Sequence, residues 1–239
     1  MKCMSAVFGV AVVLAAAQVG FAGTPFGGDD AGTIPSDAPK GPVTKCENVV
    51  GKAVAKFVTS VVKCHASRAG GKLADDTAED ACEQKAQTKL NATKTVGCRS
   101  CTDLASTGAS VGALLDLDNG LVYCTPTGTP FGGDDSGNIS TVSTETRCEG
   151  NVGKAVAKLA GAVLKCHAGR VTGKYASDAA EDGCEATAQG KFAATKTTGC
   201  PSCINLTSVG NVTVANVDAF NSLVYCGSPS GAFLDAPAL

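Results

Sequence analysis

The chain contains two histidines, and each stands directly after a cysteine, in Lys63-Cys64-His65 and Lys165-Cys166-His167. An imidazole beside a thiolate is a ligand pair for copper or zinc, so His65 and His167 are the candidate metal ligands. Oxidation of Cys64 and Cys166 would remove the thiolates, and a histidine late in a helix is favoured by the helix dipole alone. The structural reading of both histidines is therefore preferred. Cys98-Arg99-Ser100-Cys101 and Cys200-Pro201-Ser202-Cys203 have the spacing of a redox pair, but such pairs open a helix, where the dipole lowers the thiol pKa. These follow one. Covalent haem needs a histidine after the second cysteine, and Thr102 and Ile204 stand there. Asp29-Asp30 and Asp134-Asp135 could offer clustered carboxylates to calcium. Without the spaced ligands and distal Glu of a calcium loop, they read as solvated lead-in turns. With no Gly-x-Ser-x-Gly elbow and no third histidine, a hydrolytic triad lacks its base. The sequence assigns no catalytic residue and no cofactor.

Composition and the N-terminus set the compartment. A formal net charge of −2 and a pI near 5.7 argue against nucleic acid as a partner. Met1-Lys2-Cys3 precedes an apolar run from Ala6 to Val19, followed by Gly20-Phe21-Ala22. That pattern predicts a signal peptide over 1–22, too short for a membrane anchor. Its removal takes Cys3 and leaves twelve of the 13 cysteines, an even number that reads as a disulfide framework in a secreted or periplasmic protein with no membrane span.

Self-comparison dominates the rest of the chain. Cys46, Cys64, Cys82, Cys98, Cys101 and Cys124 recur 102 residues later as Cys148, Cys166, Cys184, Cys200, Cys203 and Cys226. About 45 of the 79 positions between the outer cysteines are identical without a gap. A lead segment, Gly23-Thr24-Pro25-Phe26-Gly27-Gly28-Asp29-Asp30, recurs as 128–135. Unit 1 then covers 23–127 with its helical body at 46–124, unit 2 covers 128–226 with its body at 148–226, and a flexible tail covers 227–239.

Each body reads as helical. Val50, Ala53, Val54, Phe57, Val58, Val61 and Cys64 fall at steps of three and four, the stripe of an amphipathic helix that should stop near Gly70-Gly71. A second helix should start around Asp76, with Glu79 three residues on as a capping box, and end at Gly97. Its counterpart carries Asp178 and Glu181. Leu114, Leu115, Leu117, Leu121 and Val122 suggest a short third helix. The predicted fold class is thus all-α, two tandem disulfide-stapled helical hairpins, each with a short third helix.

Helix lengths constrain the bridges. Spans of about 27 and 24 Å place Cys64 opposite Cys82 and Cys46 opposite Cys98 in an antiparallel hairpin. Cys101 and Cys124 then remain for each other. The predicted pairs are Cys46–Cys98, Cys64–Cys82 and Cys101–Cys124, repeated as Cys148–Cys200, Cys166–Cys184 and Cys203–Cys226. Pairing Cys46 with Cys101 and Cys98 with Cys124 is the alternative, since spacing does not separate these connectivities. With all bridges inside units, 128–239 is expected to fold alone.

Lys45-Cys46, Gly51-Lys52-Ala53-Val54-Ala55-Lys56 and Lys63-Cys64-His65 together resemble an uncharacterised cysteine-rich helical repeat of secreted bacterial proteins. The resemblance implies no activity. The leading expectation is a secreted, non-enzymatic repeat protein that binds an unknown protein or surface partner or serves as a surface or matrix component. Alternatives are a metal-binding or redox protein using the Cys-His pairs, and a secreted inhibitor or effector.

Overall fold

A computed structural model describes residues 23–227; the expected signal peptide and nearly all of the expected tail lie outside the described residues. The chain folds as β1 (Thr24–Gly27), β2 (Asp30–Ile34), α1 (Pro42–Ala69), α2 (Asp76–Asn91), α3 (Leu104–Val122), β3 (Thr129–Gly132), β4 (Asp135–Ile139), α4 (Ser143–Val171), α5 (Asp178–Ala193) and α6 (Leu206–Val224). It is mainly helical, as the apolar periodicity requires. None of the described helices is long and apolar enough to cross a membrane.

The amphipathic stripe of α1 is buried as drawn, with Val50, Val54, Phe57, Val58 and Val61 in the core beside Val152, Leu159, Val163 and Leu164 of α4. These two long helices make the most extensive contact between elements. Both units therefore share one core. The third helix is longer than expected at 19 residues, against 16 for α2. Asp75, rather than Asp76, caps α2 by accepting from the Ala78 amide at 2.9 Å, and Ser177 does the same for α5. Glu79 is one position too late for a capping box, which leaves its side chain for other work.

The lead segments form two-stranded antiparallel hairpins rather than solvated turns. Gly27 and Gly28 sit at φ of 103° and 55°, a region open to glycine that lets the chain reverse before Asp30. Phe26 and Phe131 are buried, their rings 5.1 Å from Tyr225 and 4.9 Å from Tyr123.

Each hairpin completes the opposite unit. The Thr33 amide donates to the Tyr225 carbonyl at 2.9 Å and Asn221 Nδ2 donates to the Ala31 carbonyl at 2.8 Å, fixing β2 on α6. The Asn138 amide donates to the Tyr123 carbonyl at 2.7 Å and Asn119 Nδ2 to the Ser136 carbonyl at 3.1 Å, fixing β4 on α3. The exchange is reciprocal.

Four bridges lie where the hairpin lengths put them: Cys46–Cys98, Cys64–Cys82, Cys148–Cys200 and Cys166–Cys184. Cys101–Cys124 and Cys203–Cys226 are not formed. Cys101 bonds Cys226 and Cys124 bonds Cys203, so the remaining bridges cross between units. The reason is geometric. The third helix, at about 1.5 Å per residue, spans roughly 28 Å between Cys101 and Cys124, far beyond the reach of one disulfide, while its partner α6 packs so that unlike ends meet. The expectation that each unit closes all of its own bridges is overturned with it.

Candidate metal centres

His65 is buried on α1 and faces α2, α3 and β4. Its Nε2 lies 2.8 Å from a Glu83 oxygen, 3.2 Å from Asp135, 3.4 Å from Asp116 and 3.6 Å from Glu79. His167 on α4 repeats the pattern, at 2.8 Å from Asp30, 3.0 Å from Glu185, 3.3 Å from Asp218 and 3.7 Å from Glu181. Each constellation is one imidazole nitrogen and four carboxylates.

Local structure explains the convergence. Glu79 and Glu83, like Glu181 and Glu185, are four apart on a helix and share a face. Asp116 and Asp218 are buried positions in the middle of α3 and α6. Asp135 and Asp30 open β4 and β2 immediately after the glycine turn, and they come from the exchanged hairpins. Each cluster is incomplete without residues of both units. Phe26 stands edge-on to the His167 ring at 6.0 Å and Phe131 to His65 at 6.3 Å, placing an apolar wall beside each imidazole.

The arrangement leaves its polar atoms without ordinary partners. His65 Nε2, Glu79 Oε1, Glu83 Oε1, Asp116 Oδ1 and Asp135 Oδ1 are buried and accept or donate no hydrogen bond of good geometry. In the second cluster the same holds for both nitrogens of His167, both oxygens of Asp30 and of Glu181, Glu185 Oε1 and Asp218 Oδ1. Burial without partners is costly for any polar atom and far more so for charge. Ten groups repeat the same arrangement, which argues for a binding function.

Protonation reports the same crowding. Burial alone would lower the His65 imidazole, but the close carboxylates of Asp116, Glu83 and Asp135 outweigh it and push the pKa up to about 10. His167 is raised well above its ordinary value for the same reason, with Asp218, Asp30 and Glu185 as partners. Burial raises Glu79 to about 7 and Asp135 to about 9, and it raises Asp218 to about 6. Glu181 is raised to about 10 by burial and by Asp30, whereas Asp30 stays below the ordinary carboxyl value because His167 and Glu181 outweigh its burial.

A metal ion fits the donors. Ligand atoms at about 2.0–2.2 Å from a common ion lie roughly 2.8–3.8 Å from one another at angles of about 90–120°, the range the imidazole–carboxylate distances occupy. One ligand atom each from Asp30, His167, Glu185 and Asp218 lies within 4.8 Å of the others, and so do His65, Glu83 and Asp116, and His65, Glu79 and Asp135.

The sequence singled out His65 and His167 and placed them in the expected late turns of α1 and α4. Cys64 and Cys166 are oxidised to Cys82 and Cys184 and ligate nothing, so the expected Cys-His pairing is replaced by a His-carboxylate one. Asp30 and Asp135, read as solvated turn residues, are buried beside the histidines. Glu79, Glu83 and Asp116 with their repeats were missed as ligands. Their signal was the identical recurrence of five acid or imidazole positions in both units. Comparison with protein-family models, with curated proteins and with solved structures finds no match to this chain.

Proposed function

We propose that this chain is an exported metal-binding protein with two equivalent centres, each built from one histidine and four carboxylates. The observation that carries the reading is the double occurrence of a buried imidazole nitrogen with four carboxylate oxygens within 3.7 Å of it, all lacking other partners. Carboxylate oxygens suit manganese, magnesium and calcium, while imidazole suits iron, zinc, copper and nickel. Mixed hard donors with one imidazole and no thiolate favour manganese, iron or zinc over calcium and over monovalent copper. With a neutral imidazole each centre carries four negative charges, so a divalent or trivalent ion removes most of the repulsion that otherwise holds protons on the acids. Six disulfides, together with the signal-peptide pattern read in residues 1–22 of the sequence, support export. Binding, storage or delivery of the ion requires no catalytic residue, which agrees with the absence of any catalytic motif in the sequence.

Elemental analysis of the oxidised protein purified from an exporting host, followed by calorimetric titration with Mn(II) and Zn(II), tests this. His65→Gln and His167→Gln are each expected to weaken one class of site by ten-fold or more and spare the other, with the double variant losing both. Unchanged titrations in the double variant would refute the proposal.

A further inference from the structure

Each histidine centre overlaps a second group of acids, which shares some of its carboxylates and adds others that the mononuclear reading leaves unused. In the second cluster one oxygen each of Asp30, Asp178 and Glu181 lies within 4.8 Å of the others. Asp30 and Glu181 also approach His167, at 2.8 and 3.7 Å. Their side chains are 1% exposed, and both oxygens of both residues lack a hydrogen-bond partner. A carboxylate bound to one ion through one oxygen satisfies only half of that demand. Asp178 Oδ1, on the far side from the histidine, is likewise buried without a partner, and so is its counterpart Asp76 Oδ1. In the first cluster the corresponding group is Asp76, Glu79 and Asp80. Position 76/178 and position 79/181 thus recur in both.

We propose, building on the metal-binding reading, that each centre is dinuclear: the first ion takes the histidine, and a second ion lies between the shared carboxylates and Asp178 or Asp76. In the second cluster Asp30 and Glu181 bridge, giving one oxygen to each ion, while Glu185 and Asp218 complete the first position. Bridged ions of this kind stand about 3.5–4 Å apart. The turn glycines make room for the second position. A Cβ on Gly28 would come within 2.8 Å of Asp178 and one on Gly132 within 3.5 Å of Asp76, so the hairpin turn closes directly over this acid in both units.

Arg170 helps, through its positive charge, to lower the Asp30 pKa. Among the described residues no ion pair joins it to these acids, and its Nε is itself buried without a partner. It therefore competes with a second ion for the same role, and experiment separates the two. Mn(II) titration of the intact oxidised chain, read by electron paramagnetic resonance, is expected to give two ions per cluster and the multiline signal of exchange-coupled pairs. Asp76→Asn combined with Asp178→Asn is expected to halve the stoichiometry and convert the signal to that of isolated Mn(II), with helicity by circular dichroism unchanged. One uncoupled ion per cluster in the parent chain would overturn the dinuclear proposal while leaving the histidine centre standing. No bound manganese at all would overturn both. If the double variant misfolds, the signal of the parent chain decides alone.

Discussion

Two buried glutamates at the same repeat position show how one substitution changes the electrostatics of a core. Glu47 is fully buried, and Arg99 answers it with bonds of 2.6 and 3.0 Å while also donating to the Thr33 carbonyl at 2.7 Å. In the second unit Pro201 replaces that arginine, and Glu149 is left fully buried with both oxygens unpartnered. Burial raises its pKa to about 7. The unfolded chain then releases this proton at lower pH than the folded one, so stability falls as pH rises between roughly 4.5 and 7 and stays reduced above. Glu149→Gln is expected to leave stability nearly unchanged at pH 4 and to raise it at pH 8 by on the order of 1–3 kcal/mol in chemical denaturation. Arg99→Ala has the opposite sign, costing about 3–5 kcal/mol because it strands a buried charge. An increase in stability from Arg99→Ala would show that Glu47 does not need its partner. The loss of Arg99 at position 201 was visible in the sequence, but its importance was not, because Glu47 lies on the predicted helix at a position that reads as off the apolar stripe.

At the scale of elements, periodicity was highly legible. The stripe on α1 fixed its buried face, and matched helix lengths fixed the four bridges inside the hairpins. What the pattern did not carry was the packing of α3, whose small residues answer the large ones on α1. Phe57 reaches toward Gly112, where an added Cβ would stand 3.7 Å from its Cζ; in the second unit the same two positions are Leu159 and Val214, both buried. Bulk has moved from one helix to the other. Gly112→Val is expected to overpack Phe57 and cost about 1–3 kcal/mol, and adding Phe57→Leu should recover most of it. A double-mutant cycle by thermal or denaturant unfolding checks this, and strict additivity would mean that the ring does not meet α3. The hairpins were missed for a related reason: at four and five residues, with Gly, Pro and Asp prominent, their strands fall short of any alternating pattern.

For the whole molecule, repeat arithmetic marked out two units but not their dependence on one another. An even cysteine count per unit is satisfied by bridges inside units or by an exchanged pair, and nothing in a linear spacing distinguishes these. The exchange predicts what one unit does alone. Segment 128–239 lacks Asp30 for its histidine centre and lacks Cys101 and Cys124 for its own Cys226 and Cys203. Two copies can supply both deficits, since Asp135 corresponds to Asp30 and the crossed bridges become Cys203 of one copy with Cys226 of the other. The exported segment is expected to be a disulfide-linked two-fold dimer on non-reducing electrophoresis, with two intermolecular bridges by peptide mapping. A monomer with Cys203 bonded to Cys226 within the same chain would contradict this. In the full chain, removing the Cys101–Cys226 bridge by a double alanine substitution is expected to cost about 2–5 kcal/mol.

If the chain is exported as proposed, crossing a membrane from its N-terminus, the crossed bridges also impose an order of events. Cys101 enters the oxidising compartment well before Cys226, 125 residues further on, and the first new thiol to follow it is Cys124. Oxidation strictly in order of arrival would pair Cys46 with Cys64, Cys82 with Cys98 and Cys101 with Cys124, none of them a bond of the finished molecule. Asp30 emerges among the first residues and waits for the last helix before it meets His167. Maturation of such a chain thus depends on thiol–disulfide exchange after all of it has arrived, and a host that oxidises quickly but isomerises poorly is expected to accumulate chains with misassigned bridges and both centres open.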